Sequence, residues 1–231
     1  MKLKHFKLVV IFVASTTFLN KANAGEEISP YFEKSVISPE LIANPFLQGS
    51  KENNDEINYI VKLQKDVDIE ELEKAFNERH LKVEMLFENT LTDVTRENSP
   101  KLFKLLDKVY KTSKVTTANF KEYWNMTRPY VSSKDVQALI ASHINPSYPS
   151  GHTSGSYVLA NVLSLLYPQY KQQFLNRAEE IAQHRVLVGM HFPKDIEGGK
   201  QLSLLITGAL LQNKNFQKDL AKAQKEINNK I

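Results

Sequence analysis

Residues 149–167 read PSGHTSGSYVLANVLSLLY. Val158, Leu159, Val162, Leu163 and Leu166 recur at three- and four-residue steps, which puts them on one face of a helix. The stretch predicts a helix over 153–167, entered through a Pro-Ser-Gly-His turn. The same period continues on both sides. Phe174, Ala178, Ile181, Ala182 and Val186 mark a helix over 170–189, and 195–211 is apolar on most faces after Gly198-Gly199, as a buried helix would be. Residues 215–230 are polar with a thin stripe at Phe216, Leu220 and Ala223, which predicts a solvated terminal helix. Towards the N-terminus, Ser99-Pro100 reads as an N-cap followed by proline at the first helical position, with Leu102, Leu105, Leu106 and Val109 on one face. Residues 55–63 and 69–76 carry two shorter helical stripes, and 81–91 fits neither period. Strand alternation is scarce and no repeat is evident. The expected fold class is therefore all-α, a single-domain helical bundle.

Composition narrows the chemistry. The 231 residues are 42% hydrophobic and 24% charged, which excludes collagen-like and disordered classes. There is no cysteine, so disulfides, thiol nucleophiles and Cys-based metal centres are excluded together. Lys2, Lys4 and Lys7 precede a mostly apolar run from Leu8 to Leu19 and the small-residue sequence Ala22-Asn23-Ala24. This predicts a signal peptide, 1–24, cleaved after Ala24; the apolar run is shorter than the roughly 20 residues a spanning helix needs. Cleavage removes Lys2, Lys4, Lys7 and Lys21 and takes the formal charge from +4 to zero. A general nucleic-acid or membrane-surface role loses its support, and any anion site must be built locally. Residues 25–54 read as an irregular Pro-rich arm over a core, and 55–231 as the helical domain.

Three segments carry chemistry. Lys121 and Arg128 lie in KEYWNMTRP; Pro149-Ser-Gly-His152 opens a helix; Arg185, His191 and Asp195 lie in RVLVGMHFPKD. At the helix start, backbone N–H groups, the Ser150 hydroxyl and the small Gly151 could hold an anion, although a plain turn and cap accounts for the same four residues. Arg185 falls in an apolar helix end, where a guanidinium wants a bidentate oxyanion. Asp195 can accept the Nδ1 proton of His191 and fix its tautomer. Three cations against one acid suit an anion better than a divalent metal.

Taken together, Lys-x6-Arg-Pro, Pro-Ser-Gly-His and Arg-x5-His-x3-Asp resemble the signature of the type 2 phosphatidic-acid phosphatase superfamily. Within it, Tyr148-Pro-Ser-Gly-His-Thr153 is similar to the class A bacterial nonspecific acid phosphatases. The resemblance implies a helical bundle of the type shared with vanadium haloperoxidases and a secreted or periplasmic bacterial phosphomonoesterase without a cofactor. It implies phosphate-binding by Lys121, Arg128, Ser150, Gly151 and Arg185. His191 would form a phosphohistidine, Asp195 would orient it, and His152 would protonate the leaving oxygen and activate water. Two histidines with opposite protonation imply an acidic to near-neutral optimum. Partners implied are small phosphate monoesters, with inhibition by vanadate or phosphate and a homo-oligomer left open; no metal, nucleic acid or membrane enters the scheme. Alternatives are a vanadate-dependent haloperoxidase, a membrane lipid-phosphate phosphatase and a phosphate-binding module without turnover. The chain departs from the family pattern with His184 where serine is common, Phe192 where tryptophan is frequent, and Pro193-Lys194 in place of a small polar pair. Tyr123, Trp124, Tyr130 and Phe192 could form an apolar rim for the leaving group, although each taken singly reads as core or surface packing. His80, His143 and His184 receive no role, and His184 is expected to face away from the site.

Overall fold

The computed structural model describes residues 29–141 and 145–229; the expected signal segment and His143 lie outside them. The described residues form α-helices α1 (Lys51–Lys65), α2 (Ile69–Asn77), α3 (Pro100–Trp124), the single turn α4 (Pro129–Ser132), α5 (Gly151–Leu166), α6 (Lys171–Leu187), α7 (Pro193–Gln212) and α8 (Lys214–Asn228), and no strand. The all-α class is therefore as expected. None of these helices is long and apolar enough to cross a membrane.

Helix α5 is the centre of the bundle. Val158, Leu159, Ala160, Val162 and Leu163 are fully buried, and α3, α6 and α7 pack around them. Each of those helices ends or begins at the same end of α5, so the N-terminus of α5, the C-termini of α3 and α6 and the N-terminus of α7 converge there. Gly198 makes that convergence possible. A Cβ at this position would lie 2.5 Å from the ring of buried Tyr148, so only glycine lets α7 press against the segment that leads into α5.

Helix α3 runs fifteen residues past Val109, the end of its recognisable stripe. Its second half buries Thr112, Ser113, Thr116 and Thr117, which hide the apolar period. Thr112 and Thr116 satisfy their hydroxyls by donating to the carbonyls four residues earlier, both at 2.9 Å. Its start also differs from the expected cap. Ser99 Oγ donates to Asn98 Oδ1, and Glu226 of α8 accepts from the N–H groups of Lys101 and Leu102 at 3.0 and 3.1 Å. Helix α8 is accordingly not a solvated tail: Phe216, Ala223 and Ile227 are buried against the core and α8 packs on α3. Ahead of α1, residues 29–50 lie across the bundle through two short 3-10 turns. Tyr31, Ile37 and Ile42 are buried there, and Tyr148 donates its hydroxyl proton to Ala43 O.

Candidate active site

Lys121 sits in the last turn of α3, Arg128 caps α4, Ser150 caps α5, Arg185 ends α6 and Asp195 is the third residue of α7. His191 lies in the turn between α6 and α7. That turn doubles back because the N–H groups of Met190 and His191 both reach Arg185 O, at 3.0 and 3.2 Å, with Gly189 at φ +72° between them. A Cβ at Gly189 would stand 2.3 Å from Gln137 O, so both the conformation and the packing demand glycine. Gln64 of α1 clamps the turn from outside: its Nε2 donates to Gln137 O and Leu187 O, and its Oε1 accepts from Gln137 N.

His191 is buried, and its surroundings set its tautomer. Nδ1 lies 3.0 Å from Asp195 Oδ2, while Nε2 lies 3.3 Å from Arg128 Nη1. A guanidinium can only donate, so Nε2 carries the lone pair and Nδ1 the proton. Asp195 Oδ2 also accepts from Ser147 Oγ and from Phe192 N, so one oxygen caps α7 and anchors the ring. Burial, reinforced by Arg128, Lys121, Arg185 and His152, pushes the His191 pKa well below the usual imidazole range. The same four groups named from the sequence thus surround one neutral imidazole. Burial pushes Asp195 up to about 6 against the opposing pull of Ser147, Lys121 and Phe192 N–H.

The cations are held differently. Lys121 Nζ donates to Pro146 O and Ser147 O; Arg128 reaches Asn145 O, Asn145 Oδ1 and Met190 O. Arg185 is 0% exposed, and its Nε, Nη1 and Nη2 have no hydrogen-bond partner among the described residues. A buried cation without a partner costs several kcal/mol. Burial, then the like charge of Arg128, pulls its pKa down to about 10. Burial and neighbouring cations lower Lys121 as well, and burial lowers Arg128. All three shifts are reversed by an anion placed among them.

Ser150 N donates to Asp195 O at 2.9 Å, which locks the α5 N-terminus to α7. Ser150 Oγ accepts from Thr153 N and Thr153 Oγ1, so its own proton is what it has left to donate. A Cβ on Gly151 would approach Thr117 Cγ2 and Lys121 Cε only to 3.8 and 3.9 Å. Protein packing does not require glycine there; an oxyanion drawn close to the backbone would. His152 is half-buried, and its Nε2 lies 3.1 Å from Glu78 O.

The expected aromatic rim does not form as a unit. Phe192 is core, packed with Ile60, Val136, Ala182, Val186 and Ile196. Tyr123 is half exposed and bonds Glu40 of the arm, and Trp124 meets Tyr148 edge-on at 5.8 Å. Tyr130 is half-buried, packs beside the Phe192 cluster and lies close enough to Arg128 to affect its charge. Lys194 donates its N–H to Glu56 of α1 at 2.6 Å and its ammonium to Glu197, so this departure fastens α1 to α7. Sequence reasoning missed Ser147, Asn145 and Gln64. Ser147 stands two residues before the Pro-Ser-Gly-His motif, but a lone serine in a Pro-rich loop carries no signal of the carboxylate it will meet.

A helical bundle whose helix ends gather three buried cations around a neutral, carboxylate-anchored histidine concentrates positive charge of the kind that suits an oxyanion. Residues 109–219 match the PAP2 superfamily. The chain is 32% identical over 145 residues to a non-specific acid phosphatase of Salmonella typhi, covering 59% of this chain and 57% of that protein. It is 36% identical over 121 residues to the non-specific acid phosphatase of Salmonella typhimurium (49% and 47% covered) and 31% identical over 142 residues to that of Providencia stuartii (58% and 56%). The chain spans about half the length of the curated relatives it matches. Among solved structures, a bacterial vanadium-dependent iodoperoxidase superposes with a TM-score of 0.57 at 13% identity, covering 74% of this chain and 51% of that one; that likeness concerns the fold alone.

Proposed function

We propose that the protein is an exported acid phosphatase that hydrolyses phosphate monoesters through a phosphohistidine at His191. The observation that carries this reading is Arg185: a fully buried guanidinium with three unpartnered nitrogens, one of the groups crowding a neutral His191 whose Nε2 lone pair faces Arg128. Binding alone would need the cations; a carboxylate-anchored imidazole is needed only if Nε2 attacks. The names of the relatives support the same reaction class.

In this reading Lys121, Arg128, Arg185, the Ser150 hydroxyl and the N–H groups at the start of α5 hold the three phosphoryl oxygens. Phosphoryl transfer asks the protein mainly for position and charge, which this set supplies without a metal. The Nε2 lone pair forms the N–P bond while the P–O ester bond breaks, and the leaving oxygen takes a proton from His152. Asp195 steadies the positive charge that appears on the ring. Water then attacks phosphorus, giving a proton to His152, and the N–P electron pair returns to Nε2. Residues 1–24 would direct export before any of this chemistry.

The test is release of nitrophenol from 4-nitrophenyl phosphate. Turnover is expected to persist in chelator, to be blocked by vanadate, and to disappear in His191→Ala while that variant still binds phosphate. Turnover in His191→Ala at the wild-type rate would overturn the assignment, and peroxide-dependent iodination by vanadate-loaded protein without ester hydrolysis would favour the haloperoxidase alternative.

A further inference from the structure

His184 is a buried titratable group that the mechanism leaves unused, and it stands at one of the departures from the family pattern. Its Nδ1 lies 2.7 Å from Glu78 Oε2 and its Nε2 lies 2.8 Å from Glu71 Oε2. Ionised carboxylates only accept, so both ring nitrogens donate and the ring is an imidazolium. Burial opposes that charge, but the bonds to Glu78 and Glu71 outweigh it and hold the His184 pKa above its ordinary value.

The charges around His184 balance. On α2, Lys74 Nζ lies 2.7 Å from Glu71 Oε1 and 3.8 Å from Glu180 Oε1. On α6, Arg177 Nη1 bonds Glu78 Oε1 at 2.6 Å and Glu180 Oε2 at 2.9 Å, and its Nη2 lies 3.8 Å from Glu88. Arg185, one residue along α6, also feels the Glu78 charge. Glu71, Glu180 and His184 bring three potential metal donors within 4.8 Å of one another. Lys74 already bridges the two carboxylates, however, and both nitrogens of His184 are engaged.

Glu78 connects this cluster to the site. It follows the last residue of α2 and is 1% exposed. Its carboxylate faces His184 and Arg177, while its backbone carbonyl lies 3.1 Å from His152 Nε2. A carbonyl can only accept, so this contact selects the Nε2–H form of neutral His152.

We propose that His184 and Glu78 are positioning residues for His152: the charged His184–Glu78 pair pins the end of α2, and the Glu78 carbonyl holds His152 as its Nε2–H tautomer, so that the proton His152 exchanges with the reacting groups is the one on Nδ1. This rests on the phosphomonoesterase reading, which it extends. Loss of the His184 charge loosens the α2 terminus and lets the His152 ring turn. The cost then falls on proton delivery to the leaving oxygen rather than on phosphate binding.

Two variants and two esters test it. His184→Gln removes the charge, and Glu71→Gln, at a half-exposed position, weakens it without disturbing the core. With glycerol phosphate, whose alkoxide needs a proton, kcat is expected to fall about tenfold; with 4-nitrophenyl phosphate, whose leaving group does not, less than about threefold, with KM little changed for both. The alkaline limb of kcat against pH is expected to move to lower pH. Long-range proton–nitrogen spectra of the imidazoles, recorded without substrate, provide a readout independent of turnover. Wild-type protein should show His184 still doubly protonated where an ordinary imidazole has lost its proton, and neutral His152 in one tautomer, and the variants should mix His152 tautomers. Equal losses on the two esters with an unshifted pH profile, or a neutral His184 in the wild-type spectrum, would overturn the proposal. If wild-type protein cleaves neither ester, the phosphatase reading fails while the spectra still decide the positioning. If His184→Gln does not fold, Glu71→Gln and the wild-type spectrum decide it.

Discussion

Arg185 and His191 place opposite demands on one pocket. Arg185 is a charge kept from water with no hydrogen-bond partner among the described residues, and His191 is kept neutral by burial, reinforced by that charge and its neighbours. On the proposed function, the arrangement trades stability for affinity towards an anion. Replacing a buried, unpaired cation by an apolar side chain of similar length is expected to stabilise the protein by about 1–4 kcal/mol. Arg185→Met should therefore melt higher than wild type in phosphate-free buffer, yet lose most of the additional melting temperature that wild type gains from phosphate. Thermal unfolding with and without phosphate checks both parts; an unchanged phosphate response would remove Arg185 from the site. At this scale Arg185 was legible in the sequence, because a guanidinium in an apolar helix end has few structural excuses; Lys121, Arg128 and the His191–Asp195 pair read singly as ordinary surface or structural residues and stood out only through the family resemblance. Ser147 was not legible: its meaning lies wholly in the Asp195 oxygen it donates to, 48 residues away.

Helix ends, rather than helix bodies, build the pocket, so the caps matter as much as the stripes. Helices with clean apolar periods, α5 and α6, were legible to within a few residues. The second half of α3 was not, since buried threonines that bond back to their own helix carry no hydrophobic signal. The cap of α3 was misread for a related reason. Ser99 has the right identity at the right place, but Glu226 from α8 brings a full negative charge to the same N–H groups and to the positive end of the helix. Glu226→Ala is expected to cost about 1 kcal/mol in urea unfolding and to leave kcat unchanged, because α8 bonds the first half of α3, at Lys101, Leu102 and Lys108, whereas Lys121 lies in its last turn. A loss much below that would return the cap to Ser99.

For the whole molecule, the shifted histidines shape stability against pH in opposite directions. His184 has a raised folded pKa, so its contribution is full below the ordinary imidazole value of 6.5 and is lost as pH climbs through the raised one. His191 has a lowered folded pKa, so the unfolded chain takes up a proton below 6.5 that the folded chain refuses, and stability falls in acid. Asp195, raised from 3.8 to about 6, partly offsets that acid loss over the interval between them. Unfolding free energy should thus peak between the two limbs, and His184→Gln should flatten the alkaline limb while sparing the acid one. A His184→Gln profile parallel to wild type would contradict the ion-pair assignment. The apolar period of the chain was enough to specify a helical bundle, because it is a local pattern along the sequence; three cations against one acid pointed towards an anion, but it was the family resemblance that joined Lys121, Arg128, Pro149 to His152, Arg185, His191 and Asp195 into one expected site. Which nitrogen of His191 is bare, which carboxylate caps α3, that Arg185 is unpaired and that His184 sits between Glu71 and Glu78 all depend on residues tens of positions apart meeting in space. Burial then converts those meetings into protonation states, because a charge removed from water is worth what its nearest neighbours make of it.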